Sequence, residues 1–194
     1  VKRFAAWIVA GLACSLVAGC LLPEKFNASL DVAPDGGARY RYDGTAVHLM
    51  ALGAIQKNGS LTAKEESDLQ SEAARGTKDP GVKELRYLGK GRYQVSVDEA
   101  IKKGRQAHTL GIFTITQAKD GVYTIAGSAM KPQDVAQLQS LSLKIEGEMK
   151  VTLPPNAKVL SQNATSTPGV FGKAYVWRIG SAADKPQMTF TLGG

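Results

Sequence analysis

The sequence predicts an α+β domain: a largely antiparallel sheet of eight to ten strands with two helices, in one domain. Three observations predict it. Apolar and polar residues alternate in segment after segment, most plainly from Leu141 to Leu153, which is the period-2 signature of half-buried strands. Two stretches break that period with helix-start signals, Thr62-Ala63-Lys64-Glu65 and Lys131-Pro132. The order is hairpin, helix, hairpins, helix, strands, which is α+β, and long alternating strands favour antiparallel pairing.

The first nineteen residues read as something other than this domain. Lys2 and Arg3 precede a nearly unbroken apolar run from Phe4 to Ala18, fifteen residues long. A bilayer span needs about 20 such residues, whereas a cationic start, a shorter apolar run and small residues at its end describe a secretory signal peptide. Leu16-Val17-Ala18-Gly19-Cys20 resembles the lipobox of bacterial lipoproteins. That resemblance implies that the Cys20 thiol receives a diacylglyceryl group, that a dedicated peptidase cuts between Gly19 and Cys20, and that the new amino terminus is acylated. Val1 fits an alternative start codon. Leu21, Leu22 and Pro23 are then expected to form a short lipidated tether with Cys20, and residues 24–194 the domain. Leu21 stands where an inner-membrane retention signal would place aspartate, so the expected address is the outer membrane if the envelope has two.

Processing there changes the inventory. Cys14 leaves with the signal peptide and Cys20 is consumed by lipid, so no thiol remains for a disulfide. The 194 residues less the first 19 leave 175, enough for a hydrophobic core without staples. Of 24 Lys and Arg, loss of Lys2 and Arg3 leaves 22 against 17 Asp and Glu, a balance of +5. No basic run interleaves with aromatics, so a nucleic-acid partner is not expected. The densest basic cluster, Lys102, Lys103 and Arg105, is either a solvated loop or a contact for anionic lipid, and it carries fewer charges than the four to eight typical of such contacts.

Beyond the tether, Phe26, Ala28, Leu30 and Val32 share one face of a first strand, and Pro34-Asp35-Gly36-Gly37 turns the chain. In the second strand Tyr40 and Tyr42 are in phase while Val47 and Leu49 have the opposite parity, which places a bulge at Gly44. The capping-box spacing at Thr62 and the stop at Gly76 give a helix near 63–75 whose thin apolar stripe is Leu69 with alanines. The next hairpin needs Leu85 and Tyr87 in phase with Tyr93, Val95 and Val97, which makes Gly89-Lys90-Gly91 a three-residue loop. By the same parity Lys119-Asp120-Gly121 pairs position 115 with 125 and 117 with 123, with Gly121 in the left-handed region. Pro132 opens the second helix with Val135 and Leu138 inward. Leu141 to Leu153 is one long strand, ended by Pro154-Pro155. Tyr175, Trp177 and Ile179, then Met188, Phe190 and Leu192, line the last faces. Asn163 to Pro168 is a polar loop, not a domain linker.

Catalytic chemistry finds little support. His48 and His108 lack a second ligand at metal spacing, and no Gly-x-Ser-x-Gly elbow occurs. No metal and no cofactor are expected. Asp98 and Glu99 are adjacent on a strand, so they point to opposite faces and are read as solvent-exposed. Tyr40, Tyr42, Tyr87 and Tyr93 either stack on a ligand or fill a core, and their phase favours the core. The GxG at 89–91 is a turn rather than a phosphate loop.

The lipobox, "LDVAPDGGARYRYDG", "DPGVKELRYLGKGRYQVSV" and "AYVWRIG" before a final apolar strand together resemble the LppM-type domain of bacterial envelope lipoproteins. The resemblance implies an α+β envelope domain with a role in lipid or glycolipid binding and no catalytic signature. Two functions are expected of such a chain. One is a monomeric, non-catalytic binding module that holds a lipid or other amphiphile beside the membrane. The other is an assembly lipoprotein that presents sheet edges to an envelope protein partner. The helices carry few large apolar residues, so the space over the sheet is a candidate acyl-chain site, unless Phe113, Trp177 and Phe190 fill it.

Overall fold

The computed structural model describes residues 21–104, 113–118, 120–127, 132–170 and 172–193. Ten strands and three helices follow one another: β1 Leu21–Val32, β2 Ala38–His48, α1 Leu49–Asn58, α2 Ala63–Gly76, β3 Val82–Gly89, β4 Arg92–Ile101, β5 Phe113–Gln117, β6 Val122–Gly127, α3 Pro132–Ser140, β7 Glu146–Thr152, β8 Ala157–Gln162, β9 Ala174–Ile179 and β10 Gln187–Leu192. The α+β class and the strand number agree with the sequence. The strands form two sheets rather than one. A six-stranded sheet has the order β3-β4-β2-β1-β7-β9, and a four-stranded sheet the order β5-β6-β10-β8. All neighbours are antiparallel except β1 and β7, which run parallel from Lys25 beside Glu146 to Asp31 beside Thr152. A parallel pair needs a long crossover, and here the whole middle of the chain supplies it.

Both sheets contribute to one buried cluster. Tyr40 of β2 meets Phe113 of β5 edge-on with ring centroids 5.4 Å apart, joining the sheets through their aromatic faces. Asn163, in the loop after β8, clasps them a second time. Its Oδ1 accepts from Trp177 Nε1 at 2.8 Å and from Gln187 N at 2.7 Å, while its Nδ2 donates to the Lys185 carbonyl at 2.8 Å. The amide thus satisfies a tryptophan of one sheet and the first backbone N–H of the last strand of the other. Phe113, Trp177 and Phe190 are all buried and belong to the cluster that the two sheets share.

The local signals held where they rested on chemistry within a few residues. Thr62 Oγ1 accepts from Glu65 N and the Glu65 carboxylate accepts from Thr62 N, a complete capping box. Its helix buries only Leu69, Ala73 and Gly76. Ile115 pairs with Ile125 and Gln117 with Tyr123, and Gly121 has φ +84°. The other hairpin pairs Leu85 with Val95 and Tyr87 with Tyr93, but it closes on the two residues Lys90 and Gly91 and absorbs the parity in a shift between Tyr87 and Gly89. Lys90 and Gly91, at φ 53° and 71°, supply the paired left-handed turn that matches strand twist better than the three-residue loop.

Three expectations give way to longer-range geometry. Strand β2 pairs with β1 without interruption through Gly44, and the irregularity lies on β1 between Pro23 and Lys25. Leu49 does not extend the strand; it opens α1, where His48 Nδ1 accepts from Ala51 N at 3.3 Å and Gly59, at φ +81°, ends the helix. The long strand from Leu141 begins only at Glu146. Before it, Leu143 N–H reaches the Leu138 carbonyl at 3.0 Å and Ser142 N–H the Gln139 carbonyl at 2.9 Å, with Ser142 at φ +54°. That is a Schellman termination of α3.

Ser142 sits where glycine is normally placed, so Ser142→Gly is expected to stabilise the domain by about 0.5–1 kcal/mol, the left-handed penalty less the extra chain entropy of glycine. A urea titration checks this. A lower midpoint at unchanged slope would mean the serine hydroxyl holds the turn.

Candidate ligand-binding clefts

The two ends of the six-stranded sheet differ in chemistry, and β1 sets the distance between them. Its 12 residues span about 36 Å at roughly 3.3 Å per residue. At the proximal end, Leu21 pairs with His48, His48 N–H donates to the Gly91 carbonyl at 2.8 Å, and α1 begins. Leu21 and Pro23, expected in a tether, are buried residues of β1. At the distal end lie the β1–β2 turn, the end of β4 and the β5–β6 hairpin.

The distal cleft, about 280 Å³, is lined by Ala38, Ile101, Lys102, Ile115, Gln117 and Tyr123 among others. Lys102 stands on its wall and Lys103 is exposed beside it; Arg105, the third member of the basic cluster, lies outside the described residues, as do Gly19, Cys20 and His108. One rung inward, Tyr40 pairs with Glu99. Asp98 and Glu99 do point to opposite faces, but their environments are not alike. Asp98 takes a two-pronged hydrogen bond from Arg39, Nε and Nη2 each at 2.6 Å, and that bond holds its carboxyl below the usual range. Glu99 shares the buried face with Val97 and Ile101, and its Oε2 is buried without a hydrogen-bond partner. The expectation of solvent exposure therefore fails for Glu99, because alternation carries it onto the inner face.

The proximal cleft, about 340 Å³, lies where α1, the β3–β4 turn and the α3–β7 turn converge. Leu52, Ile55 and Leu141 give it apolar walls; Lys90, Arg92, Ser140 and Ser142 give it polar ones. Arg92 Nε is 3.3 Å from Glu24, whereas Lys90 makes no salt bridge among the described residues. Its turn is held from below. The Glu66 carboxylate accepts from Tyr87 Oη and from Lys90 N, and Tyr87 Oη accepts from Gly91 N at 3.0 Å. Burial and the bond to Glu66 push the Tyr87 hydroxyl up to about 12. Lys90 is thus a cation on a fixed backbone. The sequence signalled the turn but not its meeting with Leu141 and Ser142, fifty positions away.

A third groove, about 200 Å³, separates α1 from α2 and mixes Met50, Ala54 and Leu61 with Glu65, Asp68 and Glu72. The four strand tyrosines are spent on structure: Tyr40, Tyr42 and Tyr93 are buried, and Tyr87 packs on Tyr93 with centroids 5.1 Å apart. Among the described residues, no group of three or more His, Cys, Asp and Glu is placed to hold a metal ion. No described helix is long and apolar enough to cross a membrane.

No family model matches this chain, and no curated protein matches it. Among solved structures, the chain is similar to the folded domain of LppM from Mycobacterium tuberculosis, determined by NMR, with 14% sequence identity and a TM-score of 0.41 over 87% of this chain and 88% of that one.

Proposed function

We propose that this chain is a membrane-anchored bacterial envelope lipoprotein, a non-catalytic binding module that holds the headgroup of a lipid or other amphiphile in the proximal cleft. One juxtaposition carries the reading. The lipobox-like Leu16–Cys20 immediately precedes β1 in the sequence, and the strand starts at the same end of the sheet as the cleft with Lys90, which makes no salt bridge among the described residues. A volume near 340 Å³ is at the lower bound of small-molecule sites, so it suits a headgroup rather than a whole lipid. In this reading the acyl chain stays outside the domain, with Phe113, Trp177 and Phe190 buried in the shared cluster among the described residues.

The chain from Leu21 onward, made without the anchor, is expected to carry a discrete lipid mass in native mass spectrometry and to be stabilised thermally by an anionic envelope lipid. Lys90→Glu is expected to weaken both effects about tenfold, the cost of reversing one charge beside a headgroup. A clean apo mass with no stabilisation favours the second reading, an assembly lipoprotein. That reading draws on β8, an edge strand of the four-stranded sheet whose Leu160 is half exposed. An unpaired edge is a template for a partner strand.

A further inference from the structure

We infer that the proximal end of the domain is a docking surface for the bilayer that holds its own anchor, so that the domain stands upright with the distal cleft turned away from that membrane. The inference rests on the lipid anchor at Cys20 and adds what the anchor alone does not give, an orientation. A lipoprotein on a flexible linker can tumble. Here Leu21 is buried and paired with His48, and consecutive Cα atoms are about 3.8 Å apart. A lipidated Cys20 therefore brings this end of the sheet to the headgroups with no slack.

What that end exposes suits an interface. Met50, in the first turn of α1, is 72% exposed, and Leu88, two residues from the tip of the β3–β4 hairpin, is 45% exposed. Lys90 occupies the tip of that hairpin, beside Leu88. Apolar side chains beside a cation are the composition of a surface that dips into an anionic headgroup layer. Met50 also lines the groove that carries Glu65, Asp68 and Glu72, so the part of this end turned most closely to lipid is the hairpin tip with Leu88 and Lys90. At the other end, Lys102 and Val170, the latter 94% exposed in the loop before β9, stand clear of the surface. Val170 belongs to that end because β9 starts beside Thr152, which pairs with Asp31. Lys102 and Lys103 are then too far from the anchor's bilayer to contact it.

Single cysteines at Met50, Leu88, Lys102 and Val170 test this in the full chain, with the parent, whose cysteines are Cys14 and Cys20 alone, as the labelling control. Each lipidated variant is labelled with bimane and reconstituted in phosphatidylcholine–phosphatidylglycerol vesicles carrying a nitroxide quencher at the interface. Loss of most fluorescence at 88, a smaller loss at 50 and none at 102 and 170 is the expected pattern. Equal quenching at all four sites, quenching at 102 and 170 alone, or none at all in protein that floats with the vesicles overturns the orientation and leaves the anchor standing. Protein that does not float with vesicles overturns both.

Discussion

Cys20→Ser is expected to remove the protein from the membrane fraction and to leave its leader attached. The size of the effect follows from what holds the chain. A single acyl chain binds a bilayer with a constant of only about 10⁴ M⁻¹, and each buried methylene adds about 0.8 kcal/mol, so loss of two or three chains changes partitioning by many orders of magnitude. Little else compensates. The apolar run from Phe4 to Ala18 has fifteen residues where a span needs about 20, and no described helix is long and apolar enough to cross. Fatty-acid labelling, fractionation and gel mobility read the result together: no label, soluble protein, and a mass larger by the uncut first 19 residues. Persistent label on the serine variant would sink the anchor. In a cell with two membranes the parent is expected in the outer one, because Leu21 is not aspartate.

The Thr62–Glu65 capping box shows how far the sequence could be read: it is local chemistry, complete within four residues, and it forms as spaced. The Gly121 hairpin is also local, because parity and one left-handed glycine determine its pairing. Alternation states which face is buried but not which strand lies alongside. Nothing near Lys25 announces that Glu146 is its neighbour, so the division into two sheets was invisible. Helix α1 was hidden for a different reason. Its cap is a histidine rather than Ser, Thr, Asp or Asn, Gly53 interrupts it, and its apolar residues surround the axis instead of forming a stripe. The candidate site suffered most. Lys102 and Lys103 stood out as a cluster, yet the cleft at the end of the sheet where β1 begins carries Lys90, in a two-residue turn and given its setting by Leu52 and Leu141.

Gly44→Ala is expected to cost the fold about 3 kcal/mol, enough to lower its melting temperature by roughly 10 °C for a domain of this size. The glycine that looked like a bulge in the sequence is one side of a vice. Phe26 of β1 lies opposite Gly44 on β2 and opposite Gly147 on β7, so two glycines flank one aromatic residue across three strands. A Cβ on residue 44 would stand 2.1 Å from the Lys25 carbonyl oxygen and 2.7 Å from Phe26 Cα. Both are backbone atoms in central strands, so no rotamer change relieves the overlap and the strands must part. Gly147, which fell in the apolar phase of its strand without a side chain to bury, is explained alongside: its Cβ would lie 2.6 Å from Phe26 Cδ1 and 2.6 Å from Phe26 O. Gly53 provides the control, because it lies inside α1 with nothing within 4 Å of its would-be Cβ. Gly53→Ala is expected to stabilise by about 0.5–1 kcal/mol, the ordinary helix preference for alanine. One added methyl group thus has opposite signs at two positions. Urea midpoints at constant slope for the two variants decide it, and a Gly44→Ala protein as stable as its parent would mean that β1 and β2 do not approach each other at Phe26 as described.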